Sequence, residues 1–215
     1  MPKVVASPAN TTTFLNYRAK SPMKKPLSQM SLEELWQLFP IILREHTTRY
    51  KEWYLSEKEA IEKIVGAKNI RRISHMGSSA VRGLIAKPTV DILLEIDYNC
   101  DTDTVKNKLQ NADWTLMAFK KDDYFEMSFN KGYTPNGFAQ KVYHLHVRFP
   151  GDWDELYFRD YLLSNKDVAI RYGELKQRLK ERYEHNRDAY TEGKTEFVSK
   201  WTCKARELFG GRYQP

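Results

Sequence analysis

Acidic residues are missing from the first 32 positions of this 215-residue chain. That stretch holds Lys3, Arg18, Lys20, Lys24 and Lys25 among Ser, Thr, Asn and Pro, with no clear hydrophobic period. These are five of the chain's 35 Lys and Arg, so most of the net charge of +7 lies outside the remainder, where 30 bases face 28 acids. A near-neutral folded part argues against nucleic acid as a partner, because a nucleic-acid-binding domain carries its basic patch on the fold. Residues 1–28 read as a basic, flexible or extended tail, leaving 29–215 as a single domain. An acid-free start also has the composition of an organellar transit peptide. An arm that packs on the domain or on a partner is the other reading.

Cysteine is scarce. Cys100 and Cys203 form no CxxC and have no partner-like spacing, which excludes a disulfide framework and leads us to expect free thiols in a reducing compartment, the cytoplasm. No apolar run approaches the roughly 20 residues that span a bilayer, so no membrane partner is expected. There is no GxGxxG, no GxxxxGK[ST] loop, no GxSxG elbow and no zinc-finger spacing, which removes most of the common enzyme classes.

The most structured signal present is Ile73–Ile96, ISHMGSSAVRGLIAKPTVDILLEI. A β-prone run ends in Gly77-Ser78-Ser79, a Gly- and Pro-punctuated turn follows, and a strand over 89–97 opens with Asp91. A period of two puts Ile92, Leu94 and Ile96 on one face and Asp91, Leu93 and Glu95 on the other. Glycine lets backbone approach a ligand closely, and exposed N–H groups with serine hydroxyls form a nest for phosphate. A carboxylate on the adjacent strand can hold a divalent cation against that phosphate. The same residues suit a plain tight turn between core strands with one caught acid. Glu95 lies about 13 Å from Asp91 along the strand, at ~3.3 Å per residue, too far to share a metal with it.

The elements around this stretch follow from periodicity. Ser31 and Glu34 form a capping box for a short helix to about 39. A long helix is expected over 41–65, ended by Gly66, a strand over 70–75, and a helix over 102–112 capped by Asp101. The runs 124–130 and 142–149 alternate as a hairpin joined through a loop at 132–137. Three helices are expected at 153–163, 165–184 and 186–208. On the returning hairpin strand His144, His146 and Arg148 share a face. Two alternate histidines joined by Asp91 would make a two-His-one-carboxylate set, although paired histidines on a strand are also common as solvated or hydrogen-bonded groups. Glu126 on the neighbouring strand reads as a ligand, a base or an Arg148 partner.

These blocks resemble the GrpB-like family. The run SHMGSSAVRGLIAKPTVDILLEI is similar to that family's HIGSTAVPGLxAKPxxDIxxxI, with Arg82 in place of the usual proline. His144–Val147, Phe158–Leu162, Tyr172 with Lys176, and Tyr190 with Lys194 fit later blocks, so the resemblance covers about 35–209. It implies membership of the nucleotidyltransferase superfamily and an α+β fold: a nucleotidyltransferase-like mixed β-sheet flanked by helices, with a C-terminal helical part. It implies a metal-dependent transfer of a nucleotidyl group from a nucleoside triphosphate to an unknown acceptor. The alternatives are a catalytically inactive nucleotide- or phosphate-binding module and, more distantly, a basic nucleic-acid adaptor. On this reading Gly77, Ser78 and Ser79 cradle phosphate, and Lys87, Arg159, Tyr172, Lys176 and Lys194 bind the substrate. Asp91 and His146 are catalytic. Asp91, His144 and His146 hold a divalent metal, Mg or Mn, or Zn, Fe or Ni if histidine-ligated. The superfamily's second acid, two residues beyond Asp91, is here Leu93.

Overall fold

Strand β2, Val90–Ile96, is the spine of the molecule and is buried along almost its whole length. The computed structural model describes residues 25–121 and 124–215, so most of the tail, residues 1–24, lies outside the described residues. Among the described residues β2 joins β1 (Ile70–Met76), β3 (Thr115–Lys120), β4 (Glu126–Thr134) and β5 (Gly137–Arg148) in one sheet of order β1-β2-β5-β4-β3. Only β2 and β5 run parallel; the other neighbours are antiparallel, which makes the sheet mixed.

Register fixes the two faces. Ile92 pairs with Leu145, and Leu94 with Val147. Together with Ile96 and Phe129 they form the apolar face, covered by α2 (Arg49–Val65) through Tyr50, Ile61 and Val65 and by α3 (Thr102–Gln110) through Val105 and Leu109. The opposite face carries Asp91 beside His144, Leu93 beside His146 and Glu95 beside Arg148. Helices α4 (Asp154–Ser164), α5 (Lys166–Tyr183), α6 (Arg187–Glu192) and α7 (Thr195–Phe209) gather on that side. A second core there joins Val81 and Leu84 to Leu162, Val168 and Tyr172, and a third sets Met76 and Leu93 against Leu156.

The capping box of α1 (Leu32–Leu38) is formed as the sequence indicates, with the Glu34 amide donating to Ser31 Oγ at 3.2 Å. The long helix expected over 41–65 begins only at Arg49. Residues 41–48 give their backbone to neighbours instead: Ile41 N–H donates to the Glu184 carbonyl, and Arg44 bridges Ala86 in both directions. The last expected helix is likewise two. Gly193 separates α6 from α7, packed so tightly that an added Cβ would press on Leu179 Cδ1 at 3.2 Å. The loop expected at 132–137 shrinks to a two-residue connection between Thr134 and Gly137.

Candidate functional site

Gly77 brings the end of β1 onto the Asp91 carboxylate. Its φ of 72° lies in the region that favours glycine, and a Cβ at this position would sit 3.0 Å from Asp91 Cγ. The turn that follows, Ser78–Ala80, is one turn of 3-10 helix. Asp91 is therefore roofed by bare backbone on one side. On the other, His144 Nδ1 donates to Asp91 Oδ1 at 2.9 Å, as their adjacent places on parallel strands allow. His144 Nε2 meets the Tyr133 hydroxyl at 2.7 Å. Burial pushes the His144 pKa down despite the neighbouring carboxylate, so the ring is neutral, with its proton on Nδ1 and its Nε2 accepting from tyrosine. For Asp91 burial works upward. The hydrogen bond donated by His144, together with the charge of Lys87, outweighs it and holds the carboxyl at about 2.

The pair opens into a cleft of about 560 Å³, floored by the polar sheet face and walled by α4 to α7. The eleven residues to which the family resemblance gives a site role all line it: Gly77, Ser78, Ser79, Lys87, Asp91, His144, His146, Arg159, Tyr172, Lys176 and Lys194; Glu126 does not, and pairs with Arg148. They do not all face it with free chemistry. Ser79 is buried and its hydroxyl is bonded to His75 Nε2 at 3.0 Å. Burial takes the His75 pKa to about 4, so that ring is neutral as well. Arg159 has most of its donors engaged, to the His75 carbonyl at 2.9 Å, to Asp160 at 2.7 Å and to the Tyr213 hydroxyl at 2.8 Å. Ser79 and most of the Arg159 guanidinium are thus spent on framing the cleft. Tyr172 stacks on Phe197 as part of the second core.

The three lysines that line the cleft, Lys87, Lys176 and Lys194, have no carboxylate within ion-pair distance among the described residues. Lys176 is 3% exposed and donates to the Ile85 carbonyl. Burial first, then repulsion from Lys194 and Lys87, lowers its pKa to about 7. Burial, with Arg187 and Lys194 adding repulsion, takes Lys87 to about 8. Lys194 is lowered as well, again chiefly by burial. Arg187, from α6, lines the same wall and reaches the Tyr133 hydroxyl at 3.5 Å. Such a concentration of desolvated positive groups leaves this wall of the cleft short of negative charge.

The expected metal set is not assembled. Among the described residues, no three His, Cys, Asp or Glu side chains are grouped so as to hold a metal ion. Both nitrogens of His144 are committed, one to Asp91 and one to Tyr133. His146 stands two residues along β5, with Nδ1 turned to Glu126 Oε1 at 3.8 Å and without a hydrogen-bond partner. Leu93, where a second acid would stand, is sealed against Met76 and Leu156. The residues present do not fit a metal held by the protein through Asp91, His144 and His146 together.

Tyr133, Arg187 and Thr202 were missed in the sequence. Tyr133 lies past the expected end of its strand, Arg187 on a six-residue helix, and Thr202 on a helical face with no local cue. No described helix is long and apolar enough to cross a membrane.

The sequence pattern of the GrpB protein family matches residues 40–204. The chain is 33% identical over 162 residues to the glutamate-rich protein GrpB of Alkalihalophilus pseudofirmus, covering 74% of this chain and 91% of that protein. It is 34% identical over 152 residues to a UPF0157 protein of Pseudomonas aeruginosa, covering 70% of this chain and 62% of that protein. Among solved structures, the conserved protein GrpB from Enterococcus faecalis superposes with a TM-score of 0.68 at 24% identity, covering 78% of this chain and 99% of that one. Together with the Gly77–Asp91 turn and its cleft, these matches place the chain in the GrpB family.

Proposed function

We propose that the cleft binds the phosphates of a phosphorylated ligand, a nucleotide foremost, through Lys87, Lys176, Lys194 and Arg187, with no metal held by the protein. The observation that carries this reading is the set of lysines without carboxylate partners, buried or half-buried around an ionised Asp91. Each ammonium can donate several charge-assisted hydrogen bonds to phosphate oxygens, roughly twice as strong as neutral ones. An arriving polyphosphate supplies the negative charge that the cleft lacks. Asp91 then plays a local part: it holds the His144 ring and limits how far the cation cluster exceeds it in charge.

Nucleotidyl transfer is the second reading, and one observation favours it. The Asp91 carboxylate has one oxygen bonded to His144, and its other lies beneath the glycine turn. Mg²⁺ is commonly bound through one or two carboxylates together with substrate phosphates, so an ion carried in on a nucleoside triphosphate needs no further protein ligand. When bound it would polarise the phosphates. The chain's own residues would orient them: the lysines at their oxygens, and His144 at Asp91.

Isothermal titration with ATP, CTP, GTP and UTP, in EDTA and in Mg²⁺ or Mn²⁺, tests the proposal. Binding in EDTA that is weakened at least tenfold by Lys176→Met or Lys194→Met supports it. No binding of any nucleotide under any of these conditions would sink both readings. Release of pyrophosphate in the presence of Mg²⁺ would establish the second.

A further inference from the structure

The β4–β5 hairpin delivers a hydroxyl to the Asp91–His144 pair. On β4, Met127, Phe129 and Lys131 alternate onto the face covered by α2, where Lys131 pairs with Glu57 at 2.7 Å. A period of two would put Tyr133 on that face as well. It does not lie there, because the register shifts between Lys131 and Tyr133. The extra residue is Gly132, at a φ of 93°, where an added Cβ would lie 3.1 Å from Val142 Cα. Such bulges re-aim side chains and are frequent beside active sites. This one turns Tyr133 onto the polar face, its ring stacked on His144 with centroids 5.9 Å apart.

Three groups then stand in line. Asp91 Oδ1 accepts from His144 Nδ1 at 2.9 Å, and His144 Nε2 accepts from the Tyr133 hydroxyl at 2.7 Å. A hydroxyl, a neutral imidazole and a carboxylate in that order activate a nucleophile: the ring takes the proton as the oxygen attacks, and the carboxylate stabilises the imidazolium that results. A fourth group serves the oxygen. Arg187 Nη1 lies 3.5 Å from it, beside the negative charge that develops there. His144 and Arg187, which hold the hydroxyl between them, both line the cleft. Tyr133 itself lines a small hollow that has Lys87 and Arg187 in its wall, two of the cations that also line the cleft. A hydroxyl that only fixed the His144 ring would need no cation beside it.

We infer that Tyr133 is a nucleophile that takes a phosphorus-centred group from the bound nucleotide and holds it covalently. This rests on the phosphate-binding reading above and adds a reaction to it. Tyr133 Oη bonds to phosphorus as the bridging P–O bond breaks. The electron pair of that bond leaves on the departing phosphate, and the phenolic proton passes to His144 Nε2. Asp91 faces the imidazolium so formed, and Arg187 faces the attacking oxygen. Attack at the γ-phosphorus releases a nucleoside diphosphate and leaves phosphotyrosine. Attack at the α-phosphorus releases pyrophosphate and leaves a nucleotidyl-tyrosine. The chemistry at the protein is the same in both, and the position of a label separates them.

The full chain is incubated with ATP carrying ³²P at the α or the γ position, in EDTA and in Mg²⁺, then denatured in acid and mapped by mass spectrometry. Tyrosine phosphate esters survive acid, whereas phosphohistidine and phospholysine do not. Label on Tyr133 from either position is the expected result. Tyr133→Phe should lose it while binding ATP within threefold of the wild type. His144→Asn keeps a donor for Asp91 but cannot take the proton. It should slow labelling at least a hundredfold, within the range of about 10²–10⁴ that a general base contributes. Thermal melting of both variants reports folding. A wild type that binds ATP and stays unlabelled overturns the inference and leaves the phosphate reading standing. So does label on other residues alone, labelling that persists in Tyr133→Phe, or labelling at full rate in His144→Asn. If no nucleotide binds, both fall together.

Discussion

Asp91 and Glu95 are two acids on one face of one strand, and they lead opposite lives. Glu95 is 1% exposed and fully partnered: Arg72 Nη2 donates to it at 2.8 Å, the Gly151 amide at 2.9 Å and Trp153 Nε1 at 3.1 Å. It ties β1 to β2 and to the Pro150–Trp153 connection that leads into α4. Asp91 has one hydrogen-bonding partner, a neutral histidine, and around it stand more cations than it can balance. A buried charge that is fully answered builds structure. A cluster whose charges are left in imbalance keeps a place for something else.

Breaking the structural pair should have the largest effect. Arg72→Met leaves Glu95 buried beside only neutral donors and is expected to cost about 3–5 kcal/mol in urea unfolding, while phosphate affinity per folded molecule stays within twofold. Lys176→Met should do the reverse. It removes a charged donor and is expected to weaken ATP binding by about 1.5–3 kcal/mol, with stability at pH 7 unchanged or slightly raised.

The same lysine sets a pH dependence. With its folded pKa near 7 and its ordinary value at 10.5, the unfolded chain binds more protons than the folded one between those limits. The ligand-free protein should therefore gain stability as pH rises from 7 toward 10. Phosphate binding should run the other way. A bound anion restores the proton, so affinity should fall above pH 7, by up to about tenfold per pH unit for each proton taken up. Denaturant midpoints and titrations from pH 6.5 to 9.5 measure both slopes, and Lys176→Met should flatten them.

The smallest effect is expected at Tyr133→Phe. It strips His144 Nε2 of its hydroxyl partner, should cost about 1 kcal/mol, and should leave ATP affinity within threefold.

The polar face of β2 could be read from the sequence because it repeats with the period of the strand, whereas the cation blocks were picked out by the family resemblance. Asp91, Leu93 and Glu95 alternate, and Lys176 and Lys194 recur beside tyrosines at fixed spacing. What escaped depended on tertiary partners. Strand β3 was not expected: its register shifts between Leu116 and Ala118, and as an edge strand it is exposed along much of its length, so the alternation is blurred. The segment 41–48 has helical spacing, yet its amides are taken by Glu184 and Ala86. The Asp91–His144 bond spans 53 positions and depends on the parallel register of β2 and β5, which no local pattern reports. That bond also engages the histidine that the anticipated metal set would have used.

The central claim is a phosphate cleft without a metal held by the protein, and Asp91→Asn titrated with ATP in EDTA and in Mg²⁺ tests it most directly. Asparagine keeps an oxygen for the His144 N–H and removes the negative charge facing the lysines. The account predicts that the variant binds ATP severalfold tighter than the wild type in EDTA, and that Mg²⁺ leaves wild-type affinity equal or weaker. Binding that appears only with Mg²⁺ or Mn²⁺ and is lost in Asp91→Asn would contradict it.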